Sequence, residues 1–156
     1  MSGLRGLAAP LAGLFLSGCA GSPSGPPAIR YGVSACAECR MLINEARFAV
    51  TAKTTTDDPA AFDSTECLVR YLHRGGPALT QIWVHDYNAE RWLAAAEAWY
   101  VASSELTTPM GQGIVATASA DEANQLARAA HGRVLRFAQL AALVNQRATS
   151  DEVRSP

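Results

Sequence analysis

Twice along this chain a run of alternating apolar and polar residues gives way to a serine-capped helical run and then to strand character again. That repeat limits the fold more than any other feature of the sequence. Phe48 to Lys53 puts Phe48, Val50 and Ala52 on one face and reads as a half-buried strand. After a loop of Thr and Asp, Ser64 stands at an N-cap position ahead of Glu66-Cys67-Leu68 and Tyr71-Leu72 at helical spacing, and Gly75-Gly76-Pro77 ends the helix. Leu79 to His85 is again strand-like, and Asp86-Tyr87-Asn88 turns the chain. The second half starts at Trp99-Tyr100-Val101, passes a loop at Thr107 to Gly113 and reaches a strand at Ile114 to Ala116. Ser119 then caps a helix over about Ala120 to His131, followed by a strand at Val134 to Phe137 and a last helix through Leu140 and Val144. The expected fold class is α+β, a duplicated strand-helix-strand unit.

The first residues belong to a different argument. Arg5 precedes an apolar run, Gly6 to Leu16, too short to span a bilayer, and the run ends in Leu16-Ser17-Gly18-Cys19. This resembles a bacterial lipobox, so residues 1–18 are expected to be a lipoprotein signal peptide and Cys19 the acylated first residue of the mature chain. Residues 19–30, rich in Gly, Ser and Pro, then form a tether. The folded part is expected over 31–147, with a first unit at about 31–90 and a second at about 91–147, and 148–156 as a polar tail. An anchored protein facing the periplasm, at the outer membrane by the absence of Asp after Cys19, is the expected location.

Of the 156 residues, 13 are Lys or Arg and 14 are Asp or Glu. A chain so balanced carries no basic field for nucleic acid. No paired carboxylates, Ser/His/Asp arrangement or phosphate loop stands out, so acid-base catalysis has little support.

Sulfur is the concentrated chemistry. Cys36-Ala37-Glu38-Cys39-Arg40-Met41 sets two thiols and a thioether within six positions, and Met110 lies in the loop Thr108-Pro109-Met110-Gly111, where its flanking Pro and Gly suggest that it is presented. Thiolate with thioether selects Cu(I), whereas zinc draws on Cys and His without methionine. The residues leave other readings open: a C-x-x-C pair in an exported protein is equally a structural or redox-active disulfide, and Met41 equally a core filler. Cys39, Met41, Met110 and Cys36 are therefore the metal candidates. Cys67, more often a small buried hydrophobe on such a helix, is a second-tier candidate with His73 and His85.

Taken in order, Cys36-Ala37-Glu38-Cys39-Arg40-Met41, Phe62-Asp63-Ser64-Thr65-Glu66-Cys67-Leu68, Trp83-Val84-His85-Asp86-Tyr87, Trp92, Tyr100-Val101 and Thr108-Pro109-Met110-Gly111 resemble the NosL family, accessory lipoproteins of nitrous oxide reductase. The resemblance runs from about Cys36 to His131. It implies a pair of ββαβ units, a topology shared with the metal-handling domain of organomercurial lyase. It also implies a periplasmic Cu(I) chaperone, monomeric or bridged into a dimer by metal, that serves nitrous oxide reductase and its membrane ABC-type maturation complex. One departure is Arg40, where the family usually has Gly. The competing class is a thiol enzyme using Cys36 and Cys39, a disulfide exchanger or an organomercurial-lyase-like protein; neither chemistry needs Met110.

Overall fold

The computed structural model describes residues 25–56 and 58–140. Cys19, the expected signal peptide, part of the expected tether, Val144 and the expected polar tail lie outside the described residues.

Among the described residues, two antiparallel sheets and two complete α-helices make an α+β fold, and a further helical stretch begins at 137–140. In the first unit β1 (Val50–Thr54) lies at the centre, with β2 (Ala60–Phe62) on one side and β3 (Leu79–His85) on the other; helix α1 (Thr65–His73) connects β2 to β3. The register pairs Val50 with Phe62 on one flank and with Val84 on the other, so these three buried side chains meet on one face. The second unit repeats the plan. There β5 (Trp99–Ala102) is central, β6 (Ile114–Thr117) and β7 (Arg133–Arg136) flank it, and α2 (Ala120–Ala129) connects β6 to β7. The strand orders β2-β1-β3 and β6-β5-β7 are equivalent, and both units read strand, strand, helix, strand. The first carries one extra edge strand, β4 (Trp92–Ala94), paired to β3, which places the junction between units after residue 94.

Both helices begin where the serines predict. Ser64 Oγ accepts from the Cys67 amide at 3.3 Å, and Ser119 forms a reciprocal capping box with Glu122. Arg74 and Ala130 cap the C-terminal ends. Phe48, which alternation assigns to the first strand, instead ends a turn of 3-10 helix over Ala46–Phe48; the strand proper is Val50–Thr54. Phe48 is thereby turned onto the α2 side of the molecule, against Val101, Val115, Ala123 and Ala127.

The second sheet is covered on both faces. Tyr100, Ala102, Ile114 and Ala116 point into the main core with Phe62, Leu68, Val84 and Ile43, while Val101 and Val115 point the other way, under α2. That explains why β6 is wholly buried and why Ile114-Val115-Ala116 is continuously apolar rather than alternating. The units join where α1 packs on β6, and where a parallel bridge pairs Asp86 with Ala116 and the Tyr87 amide donates to the Ala116 carbonyl at 2.8 Å. Among the described residues no helix is long and apolar enough to cross a membrane.

Candidate metal centre

The C-x-x-C segment is the tip of a hairpin-like excursion that leaves and rejoins the core on one side of the first sheet. Gly32 N donates to the Ile43 carbonyl and Ile43 N to the Ser34 carbonyl; Ala35 bridges Leu42, and Cys36 N reaches the Met41 carbonyl at 2.8 Å. The turn closes when Arg40 N donates to the Cys36 carbonyl at 3.1 Å. Closure requires Arg40 to take φ of 67°, the left-handed region. Glycine occupies that region without the Cβ penalty, so Arg40 is a strained occupant. One more bond fixes the turn in place: Ala37 N donates at 2.8 Å to the carbonyl of Ala61, in edge strand β2.

Ser64 opens α1 directly after β2, so Cys67 falls in the helix's first turn beside that anchored loop. The result is a group of three sulfurs, Cys36, Cys39 and Cys67, all within 4.8 Å of one another. All three are free thiols. Cys36 and Cys67 are fully buried and Cys39 is half-buried, so the group has one flank open to solvent. Three thiolates around one metal at the ~2.3 Å bond length of zinc-bound thiolate would stand about 4 Å apart, a spacing compatible with sulfurs that lie within 4.8 Å of one another.

The three thiols are not equivalent. Cys36 is held well below the usual thiol range, to about 5, chiefly by a hydrogen bond from the Cys67 side chain; burial opposes the shift, and the backbone amides of Cys39, Asp63 and Glu38 assist it. Cys67 is pushed up, because its proton is shared with Cys36 and because it is buried, and burial likewise raises Cys39. Physically, one thiolate sits in a nest of donors and the other two positions keep their protons. Near that negative charge, burial with the Cys36 sulfur raises the Asp63 carboxyl to about 6.

The methionines take different positions. Met110 is half-buried and packs against the main hydrophobic core, to which Cys36 and Cys67 belong and on which Cys39 also packs. Its loop is tied down rather than free to swing. Glu66, wholly buried in α1 next to Cys67, accepts through Oε1 from Thr108 Oγ1 at 2.7 Å and from Ile114 N at 3.1 Å, and Thr108 Oγ1 accepts from Gly113 N at 3.0 Å. Glu66 Oε2 is buried without a hydrogen-bond partner. The other thioether, Met41, is 53 % exposed; only its backbone enters the turn.

Of the second-tier candidates, Cys67 joins the group and the histidines do not. His73 is exposed at the end of α1. His85 is buried at the end of β3, its ring 3.7 Å from that of Trp92 and its Nδ1 without a partner; burial holds it below the usual histidine value. Sequence reasoning missed Glu66 as the tie between the helix and the Met110 loop. The available signal was an acid on the apolar face of a short helix, one position before a cysteine.

A comparison with curated proteins finds no match. Among solved structures, the fold is similar to the crystal structure of the copper chaperone NosL from Shewanella denitrificans, with a TM-score of 0.65 and 23 % sequence identity over 76 % of this chain and 96 % of that one. The NosL family model matches residues 31–144, well over half of the sequence, and the chain accordingly belongs to the NosL family.

Proposed function

We propose that this protein is a Cu(I) chaperone, not an enzyme, and that it carries copper for the assembly of nitrous oxide reductase. The observation that carries the reading is the packing of Cys36, Cys39 and Cys67 within 4.8 Å of one another; Met110, on a loop tied through Thr108 and Glu66 to the helix that carries Cys67, is the thioether we assign to the same site. A site built from thiolates and a thioether, with no histidine or carboxylate in its sulfur group, is matched to a soft monovalent ion. Zinc is answered less well, since a closed zinc site takes four Cys or His ligands. Copper is the cargo here, held as Cu(I) throughout, and its handover is ligand exchange without electron transfer. Cys39, on the open flank, is where an incoming ligand first reaches the metal, and exposed Met41 stands beside it as a landing ligand.

Membership of the family and the Cys19 lipobox support a periplasmic protein held to the membrane by acyl chains, with the nitrous oxide reductase maturation complex as its partner. The thiol-exchange alternative has one feature in its favour, the low-pKa Cys36 beside Cys39. Its weakness is that Cys36 is 0 % exposed, so the group best able to attack is the one no substrate disulfide reaches.

The test is anaerobic titration with Cu(I) under a competing chelator, on a form starting at Ala20, with the Cys39→Ser, Cys67→Ala and Met110→Ala variants. Tight one-to-one binding, weakened in all three, is the expected result. Binding indifferent to Met110, together with a measurable disulfide redox couple, would move the thiol-enzyme reading to the front.

A further inference from the structure

We infer that Glu66 is a positioning residue for the copper site: through Thr108 it locks the second unit's Met110 loop to the first-unit helix that carries Cys67. The inference rests on the reading of Met110 as a copper ligand and adds what holds it in place.

Two of the three sulfurs in the group are set by local geometry, since Cys36 and Cys39 share one turn. Cys67 comes from α1, and Met110 from the other unit, so something must fix the distance between these two elements. Glu66 is the buried side chain that spans them. Its Oε1 takes a hydrogen bond from each end of the loop's attachment, from the Thr108 hydroxyl and from the first amide of β6 at Ile114. Thr108 in turn closes the loop on itself. Its hydroxyl accepts from Gly113 N and its carbonyl accepts from Gly111 N at 2.9 Å, so that Met110 sits inside a ring of bonds centred on one threonine. Gly111 and Gly113 both take the left-handed φ that so tight a loop demands.

Glu66 is 0 % exposed and one of its oxygens has no partner, so its burial is offset by what its other oxygen accepts. What an apolar residue cannot do is accept from Thr108 and Ile114 together. The carboxylate is adjacent to Cys67 in sequence, so any tilt of α1 moves the sulfur and the Met110 anchor as one body. A side chain that orients a metal ligand in this way typically carries about a 10- to 100-fold effect on affinity.

The experiment measures Cu(I) affinity by chelator competition, and the copper–sulfur coordination number by X-ray absorption, in Thr108→Val, Thr108→Ser, Glu66→Gln, Met110→Ala and the Thr108→Val/Met110→Ala pair. Loss of the hydroxyl in Thr108→Val is expected to weaken binding about 10- to 100-fold and to remove one sulfur from the copper shell. Thr108→Ser and Glu66→Gln keep the bonding oxygens and are expected to bind nearly as the parent does. The double variant should be no weaker than Met110→Ala alone, because the clamp acts only through that sulfur. Additive losses in the double variant, or a serine variant as weak as the valine one, would make Thr108 a general stability residue and overturn the inference. So would a full sulfur count and parent affinity in Thr108→Val while Met110→Ala binds weakly. If Met110→Ala itself binds like the parent, the ligand assignment fails, and the clamp with it.

Discussion

Two glycines of the Met110 loop share almost the same backbone angle and should nevertheless respond very differently to alanine. Gly111 has φ of 70° and Gly113 φ of 65°, so each substitution forces a side chain into the left-handed region, at about 1 kcal/mol. There the similarity ends. A Cβ on Gly111 meets nothing within 4 Å, whereas on Gly113 it would fall 1.7 Å from the Ser103 carbonyl oxygen and 3.0 Å from that of Leu106. Those are backbone atoms, and Ser103 is itself bonded to Gly113, its amide donating to the Gly113 carbonyl at 2.9 Å. Relief therefore means prising the loop off the end of β5, an overpacking cost of about 1–3 kcal/mol on top of the conformational one. Gly111→Ala should cost about 1 kcal/mol and Gly113→Ala about 3 kcal/mol. For a domain near this size that corresponds to a fall in Tm of roughly 4 °C against roughly 12 °C. Thermal unfolding of the reduced metal-free protein, with denaturant unfolding as a check on the slope, measures both. Equal shifts for the two variants would refute the close approach of Gly113 to Ser103, and with it the picture of a loop seated against the second sheet.

Cys67→Ala should raise the pKa of Cys36, since the Cys67 hydrogen bond is the main cause of its depression; the thiolate absorbance of the metal-free protein, followed against pH, should move to higher pH. His85 is buried with its pKa lowered, so its neutral form supports the fold fully above the ordinary value of 6.5 and that support is lost as pH falls below it. Unfolding free energies from pH 8 to 5 should therefore show an acid-side slope, of at most about 1.4 kcal/mol per pH unit from this one group, that is reduced in His85→Gln. Arg40→Gly relieves a left-handed side chain in the C-x-x-C turn and should stabilise by about 0.5–1 kcal/mol, read from the urea midpoint, because the unfolded chain's extra freedom offsets part of the gain. Excess Cu(I) at about 100 times its Kd should stabilise the folded state by about 2.7 kcal/mol, less whatever copper the unfolded C-x-x-C retains, and scanning calorimetry should show a smaller increment in Cys67→Ala.

Elements that carry a period or a cap are legible in this sequence. Leu79–His85 is long enough to alternate, and Ser64 and Ser119 announce their helices, so β3, α1 and α2 fall where local chemistry puts them. The strands that local chemistry does not reveal are β2 and β4, three residues each. Ala60-Ala61-Phe62 has little strand propensity; it pairs because β1 offers an edge and because Phe62 has a core to enter. The ββαβ plan of the first half came from family resemblance for that reason. In the sulfur site the boundary is the same. Cys36 and Cys39 are visible as a pair because the turn that joins them is local, while Cys67 looks like an ordinary small hydrophobe until β2 and the Ala37–Ala61 bond bring the turn over the start of α1.

This division between local and non-local ligands has a functional consequence. A C-x-x-C turn alone binds soft metals in an unfolded chain as well as in a folded one, and so gives a chaperone no means of making its grip depend on its own structure. In the proposed site Cys67 and Met110 contribute only through the fold, one by the docking of the turn against β2 and the other from a second-unit loop bonded to Glu66 of α1. On the proposed copper reading the local pair captures the ion, and the contributions of α1 and the Met110 loop decide how firmly it is held. In the proposed handover, an acceptor that displaces the half-buried Cys39 first leaves buried Cys36 and Cys67 and the clamped loop to keep the remaining coordination in order. Release in that sequence needs no unfolding of either sheet, which is what a carrier that is to be reloaded requires.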